Sequence, residues 1–420
     1  SPMAGMTMSQ KILAKASGQA AVEPGQVVDT EIDLLYMHEM LAIALGPFRE
    51  IGVDRVWDPD RIVVTLDHWV PPPTEEIAKM HQAIREFCKE QEIDRFHDIG
   101  DHGIIHQLVA ERGYAQPWDL VIGSDSHTNT VGAVGAFAAG IGATDTAAVM
   151  ATGRIWLKVP ETIRVDIEGA LDRRTWAKDV ILRTVSLTGD DGAQYKAVEF
   201  GGPTVEGFPM NERLTLCNMT TEMGAKAGMV AADEVTRDYL AHAGRPFEPI
   251  AGDEDAAYEK TYQVDVDGMG PQVALPERPS NVQPVEEVAG TKLHMAFLGS
   301  CTSARIEDLR AAAEIMRGGR LAPGMRMIVS PASQKIYRQA LEEGLAGVFT
   351  DAGATFANST CGPCFGGHLG VLAPNEVCIS SSNRNYPGRM GSPEAKVYLA
   401  SAMTVAASTL YGEITDPRDV

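Results

Sequence analysis

With 420 residues, 44% of them apolar and 22% charged, the chain is long enough to divide into two or three domains, each burying its own core. Its 57 Asp and Glu against 36 Lys and Arg give a formal charge of -21, which argues against a phosphate-binding surface and so against nucleic acid as a partner. No apolar run approaches the roughly 18 residues that a membrane span needs, no signal peptide is evident, and six cysteines in so long a chain are no disulfide framework; a soluble, cytoplasmic protein is expected.

The opening SPMAGMTMSQ reads as a cloning scar ahead of a native methionine, Met3 or Met6. A β-branched run at 61–68 (RIVVTLDH) predicts a strand ending in polar residues. After Pro71, Pro72 and Pro73, Thr74 is placed to cap a helix that carries Ile77, Met80, Ile84, Phe87 and Cys88 on one face, so Cys88 is expected in the core. Further strands are predicted at 120–125, 162–168, 293–301, 325–330 and 377–381, with helices near a Thr144–Asp145 cap and over Ile306–Met316. This alternation is the signature of an α/β protein, and polar residues at strand ends lie where open α/β sheets bind ligands. The glycines of 132–142 (GAVGAFAAGIG) do not fit a dinucleotide fingerprint; they allow a turn or helix to pack closely behind SDSH. Residues 251–284, rich in Asp, Glu, Gly and Pro, read as a linker before the last domain, and no internal repeat stands out.

The cysteines have the most informative spacing. Cys361 and Cys364 form a C-x-x-C in STCGPC, and Cys301 ends the strand at 293–301 in GSCT. A redox couple would want the C-x-x-C at a helix start after an early strand, and a four-cysteine zinc site would have to recruit Cys378 from mid-strand. Three thiolates also suit an iron–sulfur cluster that leaves one iron without a protein ligand and free to act as a Lewis acid. Spacing alone leaves all three readings standing. Acid and imidazole groups cluster at Asp67-His68, at Asp101-His102 with His106, and at Asp125-Ser126-His127. A carboxylate beside an imidazole fixes its tautomer and raises its basicity, as a general acid or base requires. In so acidic a chain an anionic substrate needs a local positive spot, which Arg384 and Arg389, with Asn383, supply in the loop 380–389.

Together DHWVPP (67–72), GIIHQ (103–107), GSDSHT (123–128), CNMTTEMGA (217–225), GSCT (299–302), STCGPCFGGHLGVL (359–372) and SSNRNYPGR (381–389), with KILA near the start, resemble the aconitase superfamily over nearly the whole chain. Within it they are most similar to the large subunits of the two-subunit 3-isopropylmalate dehydratase and homoaconitase type. The resemblance implies three α/β/α domains, at 1–165, 166–285 and 286–420, the last carrying the cluster cysteines, without the swivelling fourth domain. It implies that Cys301, Cys361 and Cys364 hold a 4Fe-4S cluster and that Asp67 and His68 donate a proton to a departing hydroxyl. By the same resemblance Asp125 with His106 and Glu222 with His127 are the other acid–imidazole pairs, while His38, Ser126, Asn218, Asn383, Arg384 and Arg389 contact substrate or cluster. The base, a serine in the family, is then expected from a separate small subunit carrying the swivelling domain.

The implied function is a hydro-lyase acting on a small 2-hydroxy di- or tricarboxylic acid, most simply the isomerising dehydration of 3-isopropylmalate. Hydration of maleate, citraconate or dimethylmaleate, or a homoaconitase activity, are the alternatives, and an iron–sulfur RNA-binding regulator is opposed by the charge of -21. Two departures from the family pattern, Met37-His38-Glu39-Met40 in the early loop and Ser303 where S-C-T-N is usual, alter small polar contacts without removing a cluster ligand.

Overall fold

A computed structural model describes residues 5–420 as three mainly parallel sheets flanked by helices, with a fourth, two-stranded antiparallel sheet of Val27–Glu31 and Arg154–Lys158. The first sheet has the spatial order Phe96–His97, Ile62–Thr65, Leu34–Met37, Leu120–Gly123, Phe137–Gly140, parallel throughout. Its three central strands, IVVT, LLYM and LVIG, are buried along their whole length, as expected for a parallel sheet covered on both faces. The chain winds outward from Leu34–Met37 in one direction, then returns to lay strands on the other side. That reversal opens a crevice between the C-terminal ends of Leu34–Met37 and Leu120–Gly123, where such sheets place ligands.

The second sheet, Ala227–Val230, Ala197–Gly201, Thr162–Glu168, Lys260–Asp265, repeats this winding, and so does the parallel part of the third. There Met295–Leu298 is the first strand, Arg326–Val329 and Thr355–Phe356 lie to one side, and Val377–Ser380 and Lys396–Leu399 to the other. The second switch point, between Met295–Leu298 and Val377–Ser380, therefore delivers Cys301 and the loop 381–389 to one place.

The predicted helix after Thr74 forms as Glu75–Glu90, with Thr74 Oγ1 accepting from Ile77 N at 3.2 Å. Ile84, Phe87 and Cys88 are buried on its inner face, and His81 is buried with them. The helix predicted near Thr144 starts at Ala143 with Gly142 as its cap, and Asp145 lies in the first turn. Behind SDSH the small residues do pack closely: a Cβ on Gly132 would sit 1.7 Å from Gly228 O, and one on Gly140 would sit 2.3 Å from Asp125 O.

One expectation needs correction. Residues 251–284 are not a linker: Lys260–Asp265 joins the second sheet, and Gln272–Ala274 and Val282–Pro284 pair with each other and, through Ala274, with Leu399 of the third. The third sheet thus begins ahead of residue 286, because edge strands are recruited by their partners despite a linker-like composition. At the start of the described chain Met6 N donates to Asp253 at 2.8 Å, and Thr7 and Gln10 form a capping box for helix Met8–Ser17. Met3 lies outside the described residues. No helix among the described residues is long and apolar enough to cross a membrane.

Candidate active site

The crevice is built from strand ends. The loop after Ile62–Thr65 carries Asp67 and His68, whose Nδ1 lies 2.6 Å from Asp67 Oδ1, while Asp67 Oδ2 accepts the amide of Ile105 at 3.0 Å. Burial works to strip His68 of its proton, but Asp67 first, then Glu39 and Asp125, outweigh it and raise the ring to about 9. His68 is therefore an imidazolium at neutral pH. The loop after Leu120–Gly123 carries Asp125, which bridges two rings: His106 Nε2 at 2.9 Å and His38 Nε2 at 3.2 Å. His106 is held from its other side by the Tyr36 hydroxyl at 2.7 Å. Burial raises Asp125, yet His106 and His38 hold it well below the usual carboxylate range.

His127 Nε2 meets Glu222 Oε1 at 2.6 Å, and Glu222 also accepts from Arg384 Nε at 3.1 Å. Arg384 reaches on to Ser126 Oγ at 3.3 Å. Here burial lowers the ring, Glu222 opposes it and Arg384 adds to it, so His127 ends below its ordinary value. Two imidazoles in one crevice are thus pushed in opposite directions, His68 toward the cation and His127 toward the neutral ring, which is how acid and acceptor roles separate.

Cys301, Cys361 and Cys364 converge on the same small cavity, about 40 Å³, with Asp67, His68, His106, Asp125, His127, Asn383 and Arg389 in its wall. Larger hollows elsewhere on the surface bring together no thiol and no imidazole. None of the cysteines is in a disulfide. Asn218 Nδ2 donates to Cys301 Sγ at 3.1 Å, and Asn383 Nδ2 points to the same sulfur at 3.6 Å. Burial and then the Cys364 sulfur push the Cys301 thiol up to about 12, and burial with Asp67 and the other sulfurs raises Cys361 well above the thiol range. Such thiols ionise when a cation takes the place of their protons. Cys378, buried within Val377–Ser380, lies outside the cavity wall, so a four-cysteine set with it does not form. The donor set is three sulfurs with amide donors beside them, which fits a cluster held at three corners. Arg389 lines the cavity, and its buried Nε has no hydrogen-bond partner among the described residues, leaving a cationic donor for a carboxylate.

Ten of the residues named from the sequence thus line one cavity, and His38, Ser126, Asn218, Glu222 and Arg384 are linked to them through hydrogen bonds. The suspected pair Asp101-His102 is not one: Asp101 accepts from Arg112 and faces His97 at 2.8 Å, whereas His102 Nε2 donates to Ser359 O at 2.7 Å. Sequence reasoning missed Tyr36, Lys178, Arg305 and the role of Glu39. Lys178, a buried amine pushed down to about 7 by desolvation, donates to Ser381 O and Ser382 O at 2.7 Å each and so fixes the start of the arginine loop. His38, Glu39, Asp67 and His68 place donor atoms within 4.8 Å of one another, but both Glu39 oxygens accept backbone amides, so they form a hydrogen-bond cluster and not a metal mount.

Arg305 turns all three of its nitrogens to the site's framework: Gln107 Oε1 at 2.7 Å, Thr215 Oγ1 at 3.0 Å, and the carbonyls of Asn211, Thr302 and Cys301. Arg305→Met is expected to strand those acceptors at a cost of about 3 kcal/mol and to loosen the Cys301 loop. A lower thermal midpoint together with reduced iron retention is the expected pair of results; unchanged values of both would contradict it.

A crevice that joins three thiols to three acid–imidazole pairs, beside the strand ends of the first and third sheets, defines an α/β protein whose site sets sulfurs able to hold a metal next to acid–base groups. The chain matches the aconitase family (aconitate hydratase) over residues 10–292 and 283–412. It is 49% identical to the probable 3-isopropylmalate dehydratase large subunit of Methanothermobacter thermautotrophicus, over 98% of this chain and 99% of that protein. It is also 49% identical to the 3-isopropylmalate dehydratase large subunit 1 of Methanopyrus kandleri, over 99% of each. A protein named as a probable methanogen homoaconitase large subunit, from Methanothermobacter thermautotrophicus, is 46% identical over 99% of this chain and 98% of its own. Among solved structures, holo aconitase X of Thermococcus kodakaraensis shares the fold, with a TM-score of 0.53 at 14% identity, covering 90% of this chain and 89% of that one. The chain belongs to the aconitase family.

Proposed function

We propose that the chain is the large, catalytic subunit of a hydro-lyase that dehydrates and rehydrates a small 2-hydroxy dicarboxylic acid, with 3-isopropylmalate as substrate. The observation that carries this is the meeting of Cys301, Cys361 and Cys364 with His68 and Arg389 in one cavity. The names of the 49% identical relatives support the choice of substrate. A homoaconitase activity is the second reading, favoured by the 46% identical relative so named.

Removing water from a 2-hydroxyacid at neutral pH needs help for a poor leaving group. Cys301, Cys361 and Cys364 fit a 4Fe-4S cluster, which when bound supplies a Lewis acid at the substrate hydroxyl. His68, charged and oriented by Asp67, donates the proton that the departing hydroxyl takes up. Arg389 and Arg384 bind carboxylate, the first through its free Nε and the second while tied to Glu222 and Ser126. The neutral His127 and the pair Asp125–His106 accept from and orient the water that is added back. The weakly acidic C–H is left to a serine on a separate small subunit, a reading in keeping with the relatives' designation as large subunits. A cytoplasmic location accords with six cysteines of which none is paired in a disulfide.

The test is anaerobic loading with iron and sulfide, addition of the small subunit, and alkene absorbance in the ultraviolet across a panel of hydroxyacids. Turnover of 3-isopropylmalate is expected with the partner present and little without it. Robust turnover by the loaded chain alone would sink the two-subunit reading, and preference for homocitrate would favour the second activity.

A further inference from the structure

A carboxylate removed from water needs donors, and Glu39, with none of its side chain exposed, has an unusual set of them. Its two oxygens accept the amides of Asp67 at 3.1 Å, His68 at 3.0 and 3.1 Å, and Trp69 at 3.1 Å, so three successive peptide groups turn toward one side chain. Behind it stands His81, fully buried on helix Glu75–Glu90, with Nε2 3.4 Å from Glu39 Oε1. Among the described residues neither ring nitrogen of His81 makes a hydrogen bond of good geometry, so Glu39 is the partner that justifies an imidazole at a core position. On the crevice side His38 stacks on His68, centroids 4.1 Å apart and planes 21° from parallel.

Three amides gathered by one anion fix the path of residues 67–69 in a way that no apolar side chain can. The consequence reaches the sulfur centre, because Asp67 O accepts the amide of Cys361 at 2.8 Å and Thr360 Oγ1 donates to Asp67 O and His68 O. We infer that Glu39, backed by His81, is a positioning residue that fixes the backbone of Asp67, His68 and Trp69 so that the His68 ring enters the crevice with its Nδ1 hydrogen shared with Asp67. The inference rests on the reading of His68 as the acid for its effect on turnover, though not for its effect on the ring.

The experiment compares Glu39→Gln, Glu39→Asp and His81→Gln in the full chain by two readouts. In the apo chain labelled with ¹⁵N-histidine, the short Asp67–His68 contact should give a downfield imidazole N–H resonance, assigned by its loss in His68→Gln. Glu39→Gln puts an amide NH₂ against three N–H donors and should displace or broaden that resonance, with Glu39→Asp restoring part of it. In the iron-loaded chain with its partner subunit, Glu39→Gln should lose about 10²-fold in kcat, the scale of a misplaced catalytic group. The kcat is taken per bound iron, because Asp67 O also holds the Cys361 amide, and KM should stay near wild type, because the arginines are untouched. If Glu39 only stabilises the fold, the thermal midpoint falls while the resonance and kcat hold, and the inference is overturned. Should Glu39→Gln fail to fold, the His81→Gln resonance decides: a displaced signal supports the inference and an unmoved one refutes it. Absence of turnover by the wild type on every hydroxyacid would instead refute the proposed function, leaving the resonance comparison valid.

Discussion

Cys361→Ser should yield a folded chain that neither retains iron nor turns over substrate. Serine nearly matches the shape of cysteine, so the backbone bonds of residue 361, its amide to Asp67 O and its carbonyl to the Cys364 amide at 3.1 Å, are preserved. What is lost is a ligand that can ionise, since a hydroxyl does not become an alkoxide at neutral pH. No other thiol can replace it. Cys378 and Cys217 are wholly buried in packed elements, with thiols pushed by desolvation to about 12 and still higher, and Cys88 is buried on the inner face of helix Glu75–Glu90. Cys378→Ser is the matched control, because it removes a sulfur of similar burial that faces no cavity; it should keep its iron and lose only packing energy, about 1 kcal/mol. Iron and sulfide stoichiometry with visible absorbance after anaerobic loading separates the two. Wild-type iron content in Cys361→Ser would overturn the three-cysteine assignment, and a single zinc without visible absorbance in the wild type would replace the cluster by a zinc site.

The sequence carried the site better than the path between its parts. Strands such as IVVT and LVIG announce themselves by β-branched runs, and polar residues directly after them, Asp67-His68 and Asp125-Ser126-His127, fall where a parallel sheet opens. The threefold repetition of the winding left no repeat to read, because strand order is set by backbone pairing that many side-chain sets satisfy. Lys260–Asp265 hid in a linker-like composition for the same reason: mostly exposed, it becomes a strand by pairing with Thr162–Glu168. Among site residues, those that were legible act through their own side chain near a local motif. Glu39, His81 and Arg305 act on partners distant in sequence, 67–69, 39 and 107 respectively, and nothing local marks a side chain whose meaning is its remote acceptor or donor. Adjacency also misleads, as Asp101 and His102 show by facing different elements.

His68→Gln should lower kcat by about 10²–10⁴-fold, the usual contribution of a positioned general acid, while iron content and KM stay near wild type. Glutamine retains a polar end in the same volume, so the stacking partner His38 and the Phe365 ring, 4.8 Å from His68, lose little packing. The charge is what disappears, and it is the charge that Asp67, Glu39 and Asp125 jointly maintain against burial. Asp67→Asn should cost nearly as much by another route. An amide at 67 can present its NH₂ to the ring at the 2.6 Å contact, which favours the tautomer with its hydrogen on the wrong nitrogen, and it no longer holds the ring charged. Because both substitutions remove one function, a protonated ring correctly turned, their effects should not add: the double variant should lose little more than His68→Gln alone. Steady-state kinetics on the loaded complex settle it. Losses that multiply would mean that Asp67 and His68 serve separate steps, and the proton would then have to reach the leaving hydroxyl from His106 or His127, the remaining imidazoles of the cavity wall.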